Sequence, residues 1–265
     1  MKLCLLSDTH GTYSSGYVGN IEKYFEGCDV VVHSGDICGH YCSTEDMIIR
    51  RTMGINIRYP GKKYDITKQV EEFKDIWYGY ARKFSDKKFV VLPGNHDFFM
   101  SDRRDDVWDY DNGHPMSSIK PGFIPDELHD RPDNLIILNN SSTTVDDVKF
   151  YGSPWTPWYG GWAYNLEKKC PKGVWNSIPL DTDVLITHGP PYRILDLNDE
   201  GKKCGDENLA KLLMSKSSGF EIKLHVFGHI HENPGIVNAN GIDFINASVV
   251  DERYDMIYKP VIYEL

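Results

Sequence analysis

Short runs of β-branched and leucine residues recur along the chain, and each breaks off into a small group of Ser, Thr, Gly, Asp, Asn or His. Residues 3–6 lead into Ser7-Asp8-Thr9-His10, 30–32 into Ser34-Gly35-Asp36, and 89–92 into Gly94-Asn95-His96-Asp97. Residues 184–186 lead in the same way into Thr187-His188-Gly189-Pro190, and 224–227 into Gly228-His229-Ile230-His231. Three of these runs, 30–32, 89–92 and 184–186, are strongly apolar, and such runs read as buried strands. Between the first two, residues 18–25 carry Ile21, Tyr24 and Phe25, which predicts a short amphipathic helix before a strand over 29–33 and so a βαβ opening. The longest helical signal runs over about 67–84, where Val70, Phe73, Ile76 or Trp77, Tyr80 and Phe84 recur at three- and four-residue steps.

The second half reads differently. Strand patterns at 134–138, 148–152, 183–187, 223–227, 243–249 and 254–263 enclose one clear helix, 207–216, with Leu209, Leu212 and Leu213 on a single face. The expectation is a mixed α/β protein with βα units first and a strand-rich remainder. At 265 residues and 40% hydrophobic content the chain can bury a substantial core, and the polar groups are spread so widely that one domain, 1–265, has to gather them. Two irregular segments, 98–132 and 154–179, are long enough to wall a pocket, and the second is rich in Trp, Tyr and Gly. For Trp155, Trp158, Tyr159 and Trp162 base stacking and a satellite hydrophobic cluster are both open. Residues 51–63 read as an insertion without an evident role.

Charge and cysteine usage narrow the picture. A net charge of −10 argues against a protein that holds long nucleic acid by its backbone. The apolar start of the chain is too short for a secretory core or a membrane span, so no membrane association is expected. Cysteines 4, 28, 38, 42, 170 and 204 form no compact framework, which favours reduced thiols and a cytoplasmic setting. Cys38 and Cys42, with His33 and His40 nearby, suggest a zinc clip, but no second pair at fitting spacing closes it.

The five polar groups carry the chemistry. Carboxylate and amide oxygens mixed with imidazole nitrogens suit Mn, Fe or Zn at a hydrolytic site. In Asp8-x-His10 and His229-x-His231 the partners are two residues apart, so an extended backbone would project both to one side. No G-x-x-x-x-G-K-[ST] loop is present, and Gly35, Gly94, Gly189 and Gly228 read instead as positions of close approach or positive φ.

The order D-x-H, G-D, G-N-H-[DE], H, G-H-x-H, complete from Asp8 to His231, resembles the calcineurin-like metallophosphoesterase superfamily. Gly152-Ser153-Pro154-Trp155-Thr156-Pro157-Trp158, Trp162-Ala163-Tyr164-Asn165, Thr187-His188-Gly189-Pro190-Pro191 and 225–232 look like the metallophosphoesterase-domain-containing proteins, a subgroup related to class III cyclic-nucleotide phosphodiesterases. Some members of that subgroup carry glycine in place of a histidine of the last motif, whereas this chain keeps both His229 and His231. The resemblance implies a four-layer α/β/β/α sandwich of two mixed sheets flanked by helices. It implies two divalent ions, Mn²⁺ first with Fe or Zn as alternatives, one held by Asp8, His10 and His231 and the other by Asn95, His188 and His229, with Asp36 bridging. A hydroxide generated there would attack a small phosphate ester, a cyclic nucleotide being the expected substrate. His96 would protonate the leaving group, and Asp97 would orient His96 or, alternatively, cap its loop. Gly35-Asp36-Ile37-Cys38-Gly39-His40-Tyr41 departs from the G-D-x-x-D-R-G of Ser/Thr phosphatases, which weakens that reading. A phosphomonoesterase, a nuclease of the same superfamily and a nonenzymatic scaffold are the alternatives. His33 is expected beneath the site as a hydrogen-bond donor and His225 in the core, with His40, His114 and His129 in loops. The oligomeric state is not encoded in any of these patterns.

Overall fold

The computed structural model describes residues 1–13, 18–39, 41–52, 55–101, 122–159, 162–166, 173–215 and 219–265, with 42–64 described through backbone pairing only. In chain order the strands and helices are β1 (Lys2–Leu6), β2 (Val30–His33), β3 (Cys42–Thr52), β4 (Ile55–Tyr64), α1 (Ile66–Phe73), α2 (Gly79–Lys83), β5 (Lys88–Val91), β6 (Leu135–Ile137), β7 (Ser141–Val145), β8 (Val148–Ser153), β9 (Val184–Thr187), α3 (Glu207–Met214), β10 (Leu224–Phe227), β11 (Gly235–Ala239), β12 (Ile242–Asn246) and β13 (Val261–Glu264). Two mixed sheets face each other, one ordered β13-β1-β2-β5-β6 and the other β11-β12-β10-β9-β8-β7. Strands β1, β2, β5 and β6 run parallel, with β13 antiparallel at the edge. In the second sheet β8, β9, β10 and β12 are parallel, and β7 and β11 close its two edges antiparallel.

Side-chain alternation explains why the central strands are apolar on both faces, with His33 and His225 as buried polar exceptions. Leu3, Leu5, Val30, Val32, Val90, Val184, Ile186, Leu224 and Val226 fill the space between the sheets. Their neighbours Cys4, Leu6, Val31, Phe89, Leu185 and Phe227 point outward into the helical layers. Both faces are therefore dry, and the chain forms the two-sheet sandwich flanked by helices that the resemblance implied. No helix among the described residues is long and apolar enough to cross a membrane.

The amphipathic segment at 67–84 forms as expected but not as one regular helix. α1 and α2 are joined by a π-helical stretch, Lys74–Tyr78, which inserts a residue into the repeat and brings both Trp77 and Tyr78 inward. Asp65 caps α1 by accepting from the Lys68 amide at 3.1 Å, and Asp206 caps α3 through Leu209 at 2.6 Å. The helix expected over 18–25 reduces to one 3₁₀ turn, Ile21–Tyr24, bounded by Gly19 and Gly27, both at positive φ. The described residues of the insertion at 51–63 belong to a two-stranded antiparallel sheet, β3 with β4. The strand expected over 254–263 is realised only as β13, and 254–256 join a tight turn instead.

Candidate metal centre

Each of the five polar groups lies just past the carboxyl end of a strand, where open α/β sheets place their sites. β1, β2 and β5 deliver Asp8, Asp36 and Asn95 from one sheet, while β9 and β10 deliver His188 and His229 from the other. The sheets touch here: Ser7 bridges Ser248, and the Val249 amide donates to Ser7 O at 3.1 Å. The loops after β1 and β2 are zipped by amides of Asp8 to Gly35 O (2.9 Å), His10 to Asp36 O (3.0 Å) and Gly11 to Ile37 O (3.0 Å).

Backbone geometry corrects one step of the sequence reasoning. Asp8 (φ 59°), His10 (φ 44°), Asp36 (φ 55°) and His229 (φ 69°) are left-handed, not extended. The i, i+2 spacing thus works through tight loops and not through the pleat of a strand. A left-handed conformation costs an L-residue roughly 1–2 kcal/mol, so four such residues within one centre mark strain that the surrounding hydrogen bonds hold in place. Two glycines allow the loops to meet. A methyl group on Gly94 would run into the Asp36 amide and Oδ1, and one on Gly228 into Ser7 Oγ and Asp8 Oδ2.

The side chains gather into overlapping clusters: Asp8, His10 and His231; His10, Asp36 and His96; Asp36, His188 and His229, each with ligand atoms within 4.8 Å of one another. Asp36 belongs to two of them. Its Oδ2 lies 3.2 Å from His188 Nε2 and 3.8 Å from His10 Nε2, while His231 Nε2 lies 3.6 Å from Asp8 Oδ1 and 3.4 Å from His10 Nε2. Asn95 Oδ1 is 2.8 Å from His188 Nε2.

These donors fit cations. His188 Nδ1 faces Ser34 O at 3.0 Å and His231 Nδ1 faces Asp251 O at 3.2 Å; a nitrogen against a carbonyl must donate, so each neutral ring turns an Nε2 lone pair toward a carboxylate. Two acceptors so placed repel unless a proton or a metal ion stands between them. The electrostatics agree. Burial opposes a charge on His188, yet Asp36 lifts its pKa to about 9, and His231 is likewise raised, against burial, by its hydrogen bond to Asp8. Burial works against the Asp36 anion, but the His188 and His96 imidazoles hold its carboxyl well below the usual range. Burial lowers His10 to about 4 and His229 to about 3, so both are neutral and free to ligate.

His96 sits beside this centre. Its amide donates to Asp36 Oδ1 at 2.7 Å, its ring stacks on Trp162 with centroids 4.2 Å apart, and its Nε2 is 3.9 Å from Asp36 Oδ2. Asp97 is fully buried, and its carboxylate accepts the amides of Gly94 (2.7 Å), Ile37 (3.0 Å) and Cys38 (3.0 Å). These bonds match the loop-capping alternative: Asp97 ties the Asp36 loop to the His96 loop. Gln69 was not expected. Buried on α1, it donates to His96 O at 2.8 Å and Gly39 O at 3.2 Å and accepts from the Phe99 amide at 3.2 Å. In sequence it is one polar residue on a helix already rich in polar residues, so no signal singles it out.

His33 lies beneath the site as expected. Thr9 Oγ1 donates to Ile37 O at 3.0 Å, so His33 Nε2, 3.0 Å away, donates to Thr9, and His33 Nδ1 accepts from the Gly35 amide at 3.3 Å. His225 is buried against Thr187 Oγ1 at 2.8 Å, and His129 is exposed beside Asp126. His40, His114, Cys170, the Cys42 side chain and most of 98–132 lie outside the described residues, and with them the proposed zinc clip. Trp155 is core, whereas Trp158, Tyr159 and Trp162 line a cavity of about 460 Å³ that opens over Asp36, Asn95, His96, His229 and His231.

A model of the calcineurin-like phosphoesterases matches residues 1–233. Human metallophosphoesterase domain-containing protein 1 is 35% identical over 187 residues, covering 66% of this chain and 54% of that protein, so the chain spans about half the length of that relative. The UPF0046 protein K07C11.7 of Caenorhabditis elegans is 25% identical over 265 residues, covering 99% of this chain and 74% of that protein. A crystal structure 13% identical in sequence superposes with a TM-score of 0.50 over 99% of this chain and 98% of its own, a likeness of fold alone. With the motif loops converging on buried carboxylates and imidazoles, and the family match spanning all of them, the chain belongs to the calcineurin-like phosphoesterase family.

Proposed function

We propose that the protein is a metal-dependent phosphodiesterase acting on small esters, with cyclic nucleotides as the preferred class, in a single domain of the cytoplasm. One observation carries the reading: Asp36 stands between two sets of buried imidazoles, with His96 alongside and an aromatic-lined cavity above. Asp8, His10 and His231 would hold one ion and Asn95, His188 and His229 the other, with Asp36 shared. Two divalent ions so held, Mn²⁺ by preference, supply Lewis acidity that lowers the pKa of water and neutralises phosphoryl charge.

The chain's own residues do the rest. Ser34 O and Asp251 O fix the tautomers of His188 and His231, so that both rings present Nε2. Gly94 and Gly228 let Asp36 and Asp8 approach the neighbouring loops. His96 holds a proton at Nε2, the ring atom nearest Asp36, and delivers it to the leaving oxygen. Trp162 and Gln69 fix the ring and the backbone of His96, and Asp97 fixes its loop to that of Asp36. Four free cysteines, Cys4, Cys28, Cys38 and Cys204, agree with a reducing compartment.

The test is metal analysis followed by a substrate panel. Protein loaded with Mn²⁺ should bind close to two equivalents and hydrolyse 2′,3′- or 3′,5′-cyclic nucleotides and linear diesters faster than monoesters. A stoichiometry that stays at one with activity intact removes the dinuclear assignment. A preference for monoesters removes the phosphodiesterase assignment.

A further inference from the structure

One aromatic ring at the centre belongs to none of the five motifs. Tyr254 lies edge-on to His10 (centroids 4.7 Å apart, 86°) and His231 (5.3 Å, 84°), and 6.3 Å from His96. It is nevertheless 48% exposed and lines the cavity together with Trp158, Tyr159 and Trp162. The side of the ring not packed on imidazoles is thus presented to whatever enters.

The presentation is built. Tyr254 has φ 65°, a left-handed conformation that is rare for a bulky side chain. Asp251 enforces it: its carbonyl accepts the Tyr254 amide at 3.0 Å, and its Oδ1 accepts the amides of Arg253 and Asp255 at 2.9 Å each. The same carbonyl takes the His231 Nδ1 proton at 3.2 Å. One peptide group therefore positions a metal-ligand candidate and the tyrosine together. Glu232 and Glu252 line the same cavity, with Lys203 as the cation among its lining residues. Carboxylates repel additional anionic groups, whereas aromatic faces favour a planar, uncharged one.

We infer that Tyr254 is a specificity-determining residue that stacks a planar, uncharged ring carried by the phosphoester, as a nucleobase is carried by a nucleotide. The inference rests on the phosphoester reading of the centre below it and adds the residue that selects among esters. A ring held against Tyr254 would share the cavity with Asp36, Trp158 and Trp162.

The experiment compares AMP with ribose 5-phosphate, which lacks the base, by calorimetric titration of the full chain loaded with Mn²⁺. Wild type should bind AMP about ten-fold more tightly, the scale of one base on one aromatic side chain. Tyr254→Phe should keep that ratio, because it keeps the ring. Tyr254→Gly removes the ring and also relieves the positive φ, so it leaves the turn intact, and it should bind the two ligands alike. Equal binding of AMP and ribose 5-phosphate by wild type overturns the inference while leaving the phosphoester reading in place. A Tyr254→Gly protein that weakens toward both by the same factor also overturns it, and reduces the ring to a prop for His10 and His231. Binding of neither ligand by fully loaded protein removes both readings.

Discussion

Replacing Asp97 with alanine separates a loop tie from a partner of the His96 ring. The carboxylate takes three buried backbone donors, Gly94, Ile37 and Cys38, and alanine would leave all three without an acceptor. Each buried unsatisfied donor costs about 1–3 kcal/mol, which sets a ceiling of roughly 3–9 kcal/mol. Two terms oppose this. Burial and the neighbouring Asp36 charge push the Asp97 carboxyl up to about 7, so its removal relieves an unfavourable anion, and water entering the vacated space restores part of the hydrogen bonding. A net loss of about 3–4 kcal/mol follows, equivalent to a fall in Tm of roughly 6–16 °C for a chain of this size. Asp97→Asn keeps one acceptor oxygen and should lose about half as much.

Thermal unfolding and two substrates read the outcome. If Asp97 ties the loops, the Asp36 and His96 segments drift together, and hydrolysis of bis(4-nitrophenyl) phosphate and of a cyclic nucleotide should fall by a common factor alongside the lower Tm. If Asp97 serves the His96 ring, the unfolding midpoint should stay in place and the cyclic nucleotide, with its poor leaving group, should suffer most. That second pattern would refute the reasoning from the amide bonds.

Four further outcomes are expected. Asp36→Asn should lower activity more than His10→Ala at saturating Mn²⁺, because Asp36 Oδ2 lies 3.8 Å from His10 and 3.2 Å from His188, one proposed ligand of each ion; equal losses at every metal concentration would mean that it is not shared. His96→Ala should keep both ions yet slow a cyclic nucleotide by about 10²–10⁴-fold and bis(4-nitrophenyl) phosphate far less, and an equal factor for both would remove His96 as leaving-group acid. Gly228→Ala forces a methyl group against Ser7 Oγ and Asp8 Oδ2, so elemental analysis should find fewer than two bound equivalents and calorimetry an overpacking cost of about 1–3 kcal/mol; full loading at unchanged Tm would contradict this. In EDTA-treated protein His188 titrates near 9 when folded and near its ordinary 6.5 when unfolded, so its stabilisation is complete below the lower value and is lost as pH rises through the higher one. Urea midpoints should fall across that window without metal and stay level with Mn²⁺, whereas a flat metal-free profile would exclude the His188–Asp36 attraction.

The strands legible in the sequence are those buried on both faces, since only there do apolar residues crowd both sides of the strand. β1, β2, β5, β9 and β10 are of this kind, and each announces the ligand loop that follows it. The strands that escaped notice lie at sheet edges. β7 is Ser-Ser-Thr-Thr-Val, with inward and outward positions alternating, and β11 exposes Val237 and Ile236 on the other edge. An edge strand buries one side or less, so neither an apolar run nor strong amphipathicity marks it. β13 is also an edge, and residues 254–256, expected as part of its strand, belong instead to the turn that carries Tyr254.

The same asymmetry divides the centre itself. Ligand identities are visible because Asp, Asn and His at fixed spacing after buried strands have few other uses, but the groups that hold them are ordinary in sequence. Gln69 reads as one more polar helix residue, Ser34 and Asp251 act through carbonyls that every residue possesses, and Asp97 accepts three backbone amides. What distinguishes these groups is three-dimensional. They orient His188, His231, the His96 loop and the Asp36 loop, while amide bonds from Asp8 to Gly35 O, His10 to Asp36 O and His229 to Asp8 Oδ1 accompany left-handed φ values and bring lone-pair-bearing atoms within 4 Å of one another. A motif therefore names the atoms that meet a cation, while the hydrogen bonds behind them determine that those atoms are already in place when it arrives.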